Sequence, residues 1–538
     1  FTLVAAIFMA AVIAIPFSAG CGAPEASTAE LIVAADSLGK ETALPDRGGR
    51  LDMQNWRLVN EFLIVPNPET GAPNKPELAE SWEMTADAKT WTFHLRKGVQ
   101  WHDEWGEFTA EDVKFTFDLA GAEDAKGSYR AHYQKIDTVV KDKYTAVLNL
   151  EDPNWMVPSI IFQHLPIVCK KYCEEVGLDE ANLHPVGTGP YKFHSRFLGD
   201  FVKLEAVPYK HWRVTPEFKY ITIKLVPETS TKIAMLRTGE ADNAPIPLDK
   251  YPSLQEEGVR AVLNPSALLY SVNFPSCPLP THPDFKPMPW WDDPANTEAW
   301  ENAKKVRKAM AMAINREEIN ERMFFGLGSI PESPYLYPSQ VDQGYDLSWK
   351  FPPYDPDGAK QLLAEAGWPD GFDITMVLLE HSGRPDCAAL GEAVAMYWEE
   401  LGLTVERLPM DMSTIRPELT ARTNEDGAWI LGATFTATPE LGLGTQCVST
   451  GGAPFNPVEY ALIDELGNKI LQELDSVKRA DLARQEVGLM VDNYFRIPLI
   501  NLPGLTGLSD RVGERPMNIG DTMILSLLEY ATLSDSAK

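Results

Sequence analysis

Residues 76–120 read PELAESWEMTADAKTWTFHLRKGVQWHDEWGEFTAEDVKFTFDLA, and the changes of rhythm inside them decide what the chain builds. In Trp91–Arg96 the apolar Trp91, Phe93 and Leu95 alternate with Thr92, His94 and Arg96, which predicts a strand with one buried and one wet face. Gly98 breaks that run. Thr109 is followed three residues later by Asp112, a capping-box pattern that starts a helix near Ala110. Outward from there, IDTVV (136–140) and YTAVLNL (144–150) flank a short charged turn and predict a hairpin. YKFHSRF (191–197) and FVKLEAV (201–207) predict a second one around Gly199 and Asp200.

The later half changes period. AKKVRKAMAMAI (303–314) is helical, and Asn315 with Glu318 caps a fresh helix through REEINERMF (316–324). In YDPDGAKQLLAEAGW (354–368), Asp355 suits the N-cap, Pro356 the first turn and Gly367 the stop. Strand FDITMVLLE (372–380) follows, then a helix with Leu390, Val394, Tyr397 and Leu401 on one stripe, then strand LTVERL (403–408). A helix near STIRPELTAR (413–422) precedes strand AWILGA (428–433). Strand and helix in alternation imply parallel βαβ units, an α/β lobe. The Pro-rich stretch NFPSCPLPTHPDFKPMPWWDDP (273–294) is the best candidate for a lobe junction and inserted loop.

With 538 residues, 44% hydrophobic and 23% charged, the body is large enough to divide into at least two lobes. Its 77 acidic and 48 basic residues give a net charge of -29, which argues against nucleic acid and against a cationic membrane-binding face. Residues 1–20 carry no charged side chain and read as a signal-peptide core, and no later apolar run is long enough to span a bilayer. Ser18, Ala19, Gly20 and Cys21 resemble a bacterial lipobox, with Ser18 where Leu is usual. A diacylglycerol on Cys21 would anchor the chain through the tether 21–30.

Six cysteines occur without a CxxC pair, and nine histidines without HxH or HxxxH spacing, so neither metal nor cofactor is expected. Cys169 and Cys173 read as buried small hydrophobes, and Cys277 with Cys447 is the favoured disulfide, both falling in one lobe. No GxSxG, HExxH, Walker A or GxGxxG motif supports an enzyme. GTGPY (187–191) lacks the Walker Lys and reads as a tight structural turn.

Residues 76–120 resemble the signature region of the family 5 extracellular solute-binding proteins of ABC importers, the dipeptide, oligopeptide and nickel binding group. One departure is HDEWGEFTAEDV (102–113), longer than the commoner HDGEPFTAEDV. VGTGPYKF, AMLRTGEAD, KKVRKAMAMAINREEI, YDPDGAKQLLAEAGWPDGFDITMVL and RIPLINL follow in the expected order. The resemblance implies an α/β fold of the two-lobe periplasmic-binding-protein type (type II, the large form with an extra subdomain in lobe I). By analogy, lobe I spans 31–264 plus 500–538, with the extra subdomain at about 60–185, and lobe II spans 265–499. It also implies a monomer outside the membrane that captures a small solute, closes by hinge motion and docks on permease subunits.

Open α/β lobes hold ligands beyond the carboxyl ends of their strands. That rule points past LIVAA to Asp36 and Ser37, along LLYSVN to Tyr270 and Asn273, and past AWILGA, from Trp429 to Phe435, Thr436, Thr438 and Glu440. In peptide-binding relatives this last segment carries an aspartate, as in DYPDP, which pairs with the ligand's α-ammonium. Here it reads TFTATPE (434–440). Either Glu440 or Asp36 replaces the anchor, or the solute lacks a free amino terminus. Thr hydroxyls and aromatic faces would suit an oligosaccharide, and a secreted hydrolase with paired carboxylates is the weaker alternative.

Overall fold

The computed structural model describes residues 29–538 apart from 128–129, 162–164, 276, 283–284, 382–383, 385, 422–426, 435–437, 450–457 and 518–526. Its centre is a ten-stranded sheet ordered Thr404–Asp411, Asp373–Glu380, Ala428–Thr434, Arg260–Asn273, Arg496–Leu508, Asn243–Ile246, Glu30–Ala35, Tyr220–Leu225, Phe201–Ala206, Tyr191–Phe197. At one end Asp373–Glu380 lies parallel to both its neighbours, and at the other Glu30–Ala35 lies parallel to Tyr220–Leu225 and to Asn243. These are the parallel units that strand and helix alternation requires.

Two long antiparallel strands join the ends. Arg260 to Asn264 pairs with Leu508 to Gly504, and Leu268 to Asn273 pairs with Leu502 to Arg496, with an irregularity between Asn264 and Leu268. Asn243–Ile246 uses only the Leu508 end, and Ala428–Thr434 only the Asn273 end. One pair of strands therefore serves two separate cores. In the second lobe Trp291, Met310, Met376, Val394 and Trp398 pack together; in the first, Leu31, Val33, Trp56 and Ile223 form one cluster and Ile233, Leu236 and Leu505 another. Trp291 is fully buried in the second lobe, so the Pro-rich stretch belongs to that lobe's core, and the strand upstream of it carries the crossing.

The signature region builds a further unit. Ala79–Met84, Thr90–Leu95, Thr145–Leu150 and Ile136–Asp142 form an antiparallel sheet, and helix Ala110–Gly121 covers it. Phe93, Trp101, Phe108, Val113 and Phe117 fill the space between. Thr109 and Asp112 make both halves of the capping box, and Asn315 and Asp355 cap their helices as the spacing predicts. Cysteine pairing is corrected. The five described cysteines, Cys169, Cys173, Cys277, Cys387 and Cys447, are buried, and no disulfide joins Cys277 to Cys447. Cys277 lies 3.1 Å from the Pro275 carbonyl oxygen, whereas Cys447 sits beside the Tyr335 hydroxyl, so each thiol is enclosed by its own surroundings. Cys21 lies outside the described residues.

Candidate functional site

In open α/β lobes ligands lie beyond the carboxyl ends of the parallel strands, which makes those ends the candidate surfaces of both lobes. On the first lobe, Glu30–Ala35 ends at Asp36, whose carboxylate accepts from Lys232 Nζ at 2.5 Å. Lys232 is 2% exposed and also donates to the Pro245 carbonyl at 2.7 Å, so its buried charge is matched. Asp36 is thereby partly spent on its own lobe. Ser37 is exposed and its Oγ accepts from the Gly39 amide at 3.0 Å. Farther along, Leu248 packs against the cores of both lobes, and the turn Leu248–Lys250 lies against helix Arg316–Phe324.

On the second lobe, Asp373–Glu380 runs out into His381 and Arg384, where Arg384 Nη1 donates to His381 Nε2 at 3.2 Å. Burial, with Arg384 and Arg416 nearby, lowers the His381 pKa, which leaves the imidazole neutral as an acceptor. Arg384 Nε is buried with no hydrogen-bond partner, and no carboxylate among the described residues forms an ion pair with Arg384. A guanidinium in that state is an anion site in waiting. Sequence reading missed it, because HSGRPD has no periodicity; the only available signal was an Arg just beyond a strand's carboxyl end.

Ala428–Thr434 leads to the short helix Pro439–Gly442. Thr438 is half-buried and makes no side-chain cap bond. Glu440 is 6% exposed with its Oε2 unpartnered, and burial raises its pKa against the opposing charge of Arg479. Phe435 and Thr436 lie outside the described residues. Tyr270 is buried, donates to Asp386 Oδ2 at 3.2 Å and lies against Gly432, where an added Cβ would come within 2.9 Å of the ring. It braces the start of helix Asp386–Leu401.

Asn273 and Trp429 stand elsewhere. They are register partners, and both are fully buried. Leu268 pairs with Thr434 at the other end of the same ladder. Five residues at about 3.3 Å each put Asn273 and Trp429 roughly 17 Å from the strand end that reaches Glu440. The expectation is corrected for a topological reason: Arg260–Asn273 runs antiparallel to Ala428–Thr434, so its carboxyl end lies at the opposite edge of the sheet.

Fold and site together define a two-lobe binding protein in which, among the described residues, neighbouring strands of the second lobe lead to a cation without an ion pair and to a buried carboxylate. The chain matches the family described as "Bacterial extracellular solute-binding proteins, family 5 Middle" over residues 74–445, and it belongs to that family. Glutathione-binding protein GsiB of Pectobacterium atrosepticum is 31% identical over 311 residues, 56% of this chain and 54% of that protein. The chain spans about half the length of that relative. Heme-binding protein A of Haemophilus influenzae is 26% identical over 526 residues, 88% of this chain and 87% of that protein. The solved dipeptide binding protein of Pseudoalteromonas sp. SM9913, in complex with Met-Leu, superposes with TM-score 0.67 and 21% identity, covering 94% of this chain and all of that one.

Proposed function

We propose that this chain is the solute-capturing component of an ABC importer, closing its two lobes over a small peptide-type solute and presenting it to permease subunits. The observation that carries the reading is a pair of polar groups with open hydrogen-bonding capacity beyond neighbouring strands, Arg384, whose Nε has no partner, and Glu440, whose Oε2 has none although Arg479 supplies part of its counter-charge. A molecule with a carboxylate and an ammonium satisfies both; a neutral oligosaccharide satisfies neither. Burying either charge alone is costly, so a solute that supplies the counter-charge gains affinity and discrimination together. The family consists of extracellular solute-binding proteins. It performs no chemistry in this reading: binding energy drives closure through the solute's greater affinity for the closed state. The lobes are taken as 31–264 with 500–538 and 265–499, the protein as a monomer, and Cys21 as its lipid anchor.

The test is a melting-temperature screen of glutathione, Met-Leu and tri- to hexapeptides against their N-acetylated and C-amidated forms and against oligosaccharides, with mass spectrometry of each mixture. A bound solute at one hundred times its Kd stabilises the fold by about 2.7 kcal/mol. Peptides with free termini are expected to raise Tm and to be recovered unchanged. Arg384→Gln and Glu440→Gln should each weaken that binding tenfold or more, the order of a charge-assisted hydrogen bond at about 1.5–3 kcal/mol. Stabilisation by oligosaccharides alone, or conversion of a solute to product, overturns the proposal.

A further inference from the structure

Trp155 is 7% exposed, yet it packs into none of the hydrophobic clusters of the described residues. Two groups meet its ring from across the gap between lobes. The indole Nε1 donates to the carbonyl of Leu471 at 3.1 Å, and the Arg479 guanidinium lies 3.6 Å from the centre of the ring. Trp155 rides on the signature subdomain; Leu471 and Arg479 belong to helices Ala461–Gln472 and Ser476–Asp492 of the second lobe. We infer that this contact is a clasp that holds the closed form and slows solute release, an inference that rests on the binding-protein reading above.

Both halves are set before they meet. On the subdomain, the Asn154 amide donates to Ala88 at 2.9 Å, its carbonyl accepts from Trp91 Nε1 at 2.9 Å, and its side chain accepts from the Met156 amide at 2.8 Å. Trp155 therefore projects from a fixed loop. On the second lobe, Arg479 Nη1 donates to the carbonyls of Glu473 at 3.0 Å and Leu474 at 3.3 Å, which fixes the guanidinium independently of the ring. Ordering costs little on closure, so most of the contact energy bears on the open-to-closed equilibrium. Opening exposes the indole to water and exchanges its N–H bond and the cation–π contact for hydration, so what is lost is the apolar burial of the ring and the net worth of those two contacts. The two long strands are the pivot, and a clasp away from them acts with leverage.

The experiment labels one cysteine introduced on each lobe with a donor and an acceptor dye and measures the closed fraction and opening rate of the whole protein, first without solute. Trp155→Ala and Arg479→Gln are expected to lower the ligand-free closed fraction and raise the opening rate by about tenfold, the order of one desolvated cation–π contact. Trp155→Phe, which keeps a ring but loses the N–H donor, should fall between. Because Trp155 lies outside the cores, circular dichroism and Tm should stay near wild type, which keeps unfolding from imitating the effect. A closed fraction and opening rate unchanged in both Trp155→Ala and Arg479→Gln overturn the clasp. Failure of free-terminus peptides to stabilise the wild-type protein in the melting screen would refute the solute class without bearing on the ligand-free closed fraction, so a wrong solute class and a wrong clasp give different results.

Discussion

Glu486 lies on helix Ser476–Asp492 with neither carboxylate oxygen hydrogen-bonded, and burial, with Asp464 nearby, pushes its pKa up to about 8 from an ordinary 4.5. Between those values the folded protein holds a proton that the unfolded chain has released. Stability contributed by the neutral form is complete below pH 4.5 and is lost as pH rises toward 8, at about 1.4 kcal/mol per unit. Glu486→Gln removes that titration. In urea denaturation the variant should overtake wild type progressively as pH rises across this window; parallel curves would refute a buried neutral carboxyl. At this scale the sequence disclosed residue types, and neighbours only in part. The strand-end rule leads to Asp36 and Glu440 as candidates, whereas Asn273 lies at the other end of the sheet because strand direction is a long-range property, and Trp429 lies there because it is the second residue of its strand. Arg384 was overlooked because an unpaired guanidinium is defined by the carboxylates that do not reach it.

Elements carried stronger local signals. Thr109 with Asp112, Asn315 and Asp355 are caps readable within four residues, and each accepts from the backbone amide its position implies. Periodicity placed Leu390, Val394 and Leu401 of its stripe in the core, whereas Tyr397 is half-buried and donates to Glu318, and Trp398 is buried beside it instead. What joins elements far apart in the chain was not readable, and the Arg213 cluster shows why. Its guanidinium meets Glu61 at 3.0 Å, Glu77 at 3.6 Å and Glu529, contacts separated by up to 316 residues. Burial raises the Glu61 pKa, burial and the charge of Glu61 raise that of Glu77, and Arg213 keeps Glu529 low despite its burial. Together with the Leu533 amide bonded to Glu217 at 2.8 Å, this pins the C-terminal segment to the first lobe. Arg213→Met strands the carboxylates and should cost about 3–5 kcal/mol by urea denaturation. A loss under 1 kcal/mol would mean that the cluster relaxes into solvent instead of bearing on the fold.

Across the whole molecule, separate cores joined by two strands permit rotation, and the groups that face each other on closure decide its balance. Leu248 favours closure by packing against both cores. Asp249 on the same turn opposes it: its charge, after burial, raises the pKa of Asp386 on the second lobe, although Lys250 at 2.5 Å from Asp249 offsets part of the repulsion. Asp249 is exposed, so solvent screens the interaction and the penalty is modest. As pH falls through the raised Asp386 pKa, the carboxyl takes a proton and the repulsion disappears, so closure becomes easier with acidification. Asp386→Asn removes the charge and keeps an oxygen to accept from the Tyr270 hydroxyl. Dyes on the two lobes should report a ligand-free closed fraction that is severalfold higher in the variant at neutral pH and converges with wild type on acidification. A variant that matches wild type at every pH would show that this pair never faces across the gap, and that the turn carrying Leu248 contributes packing alone.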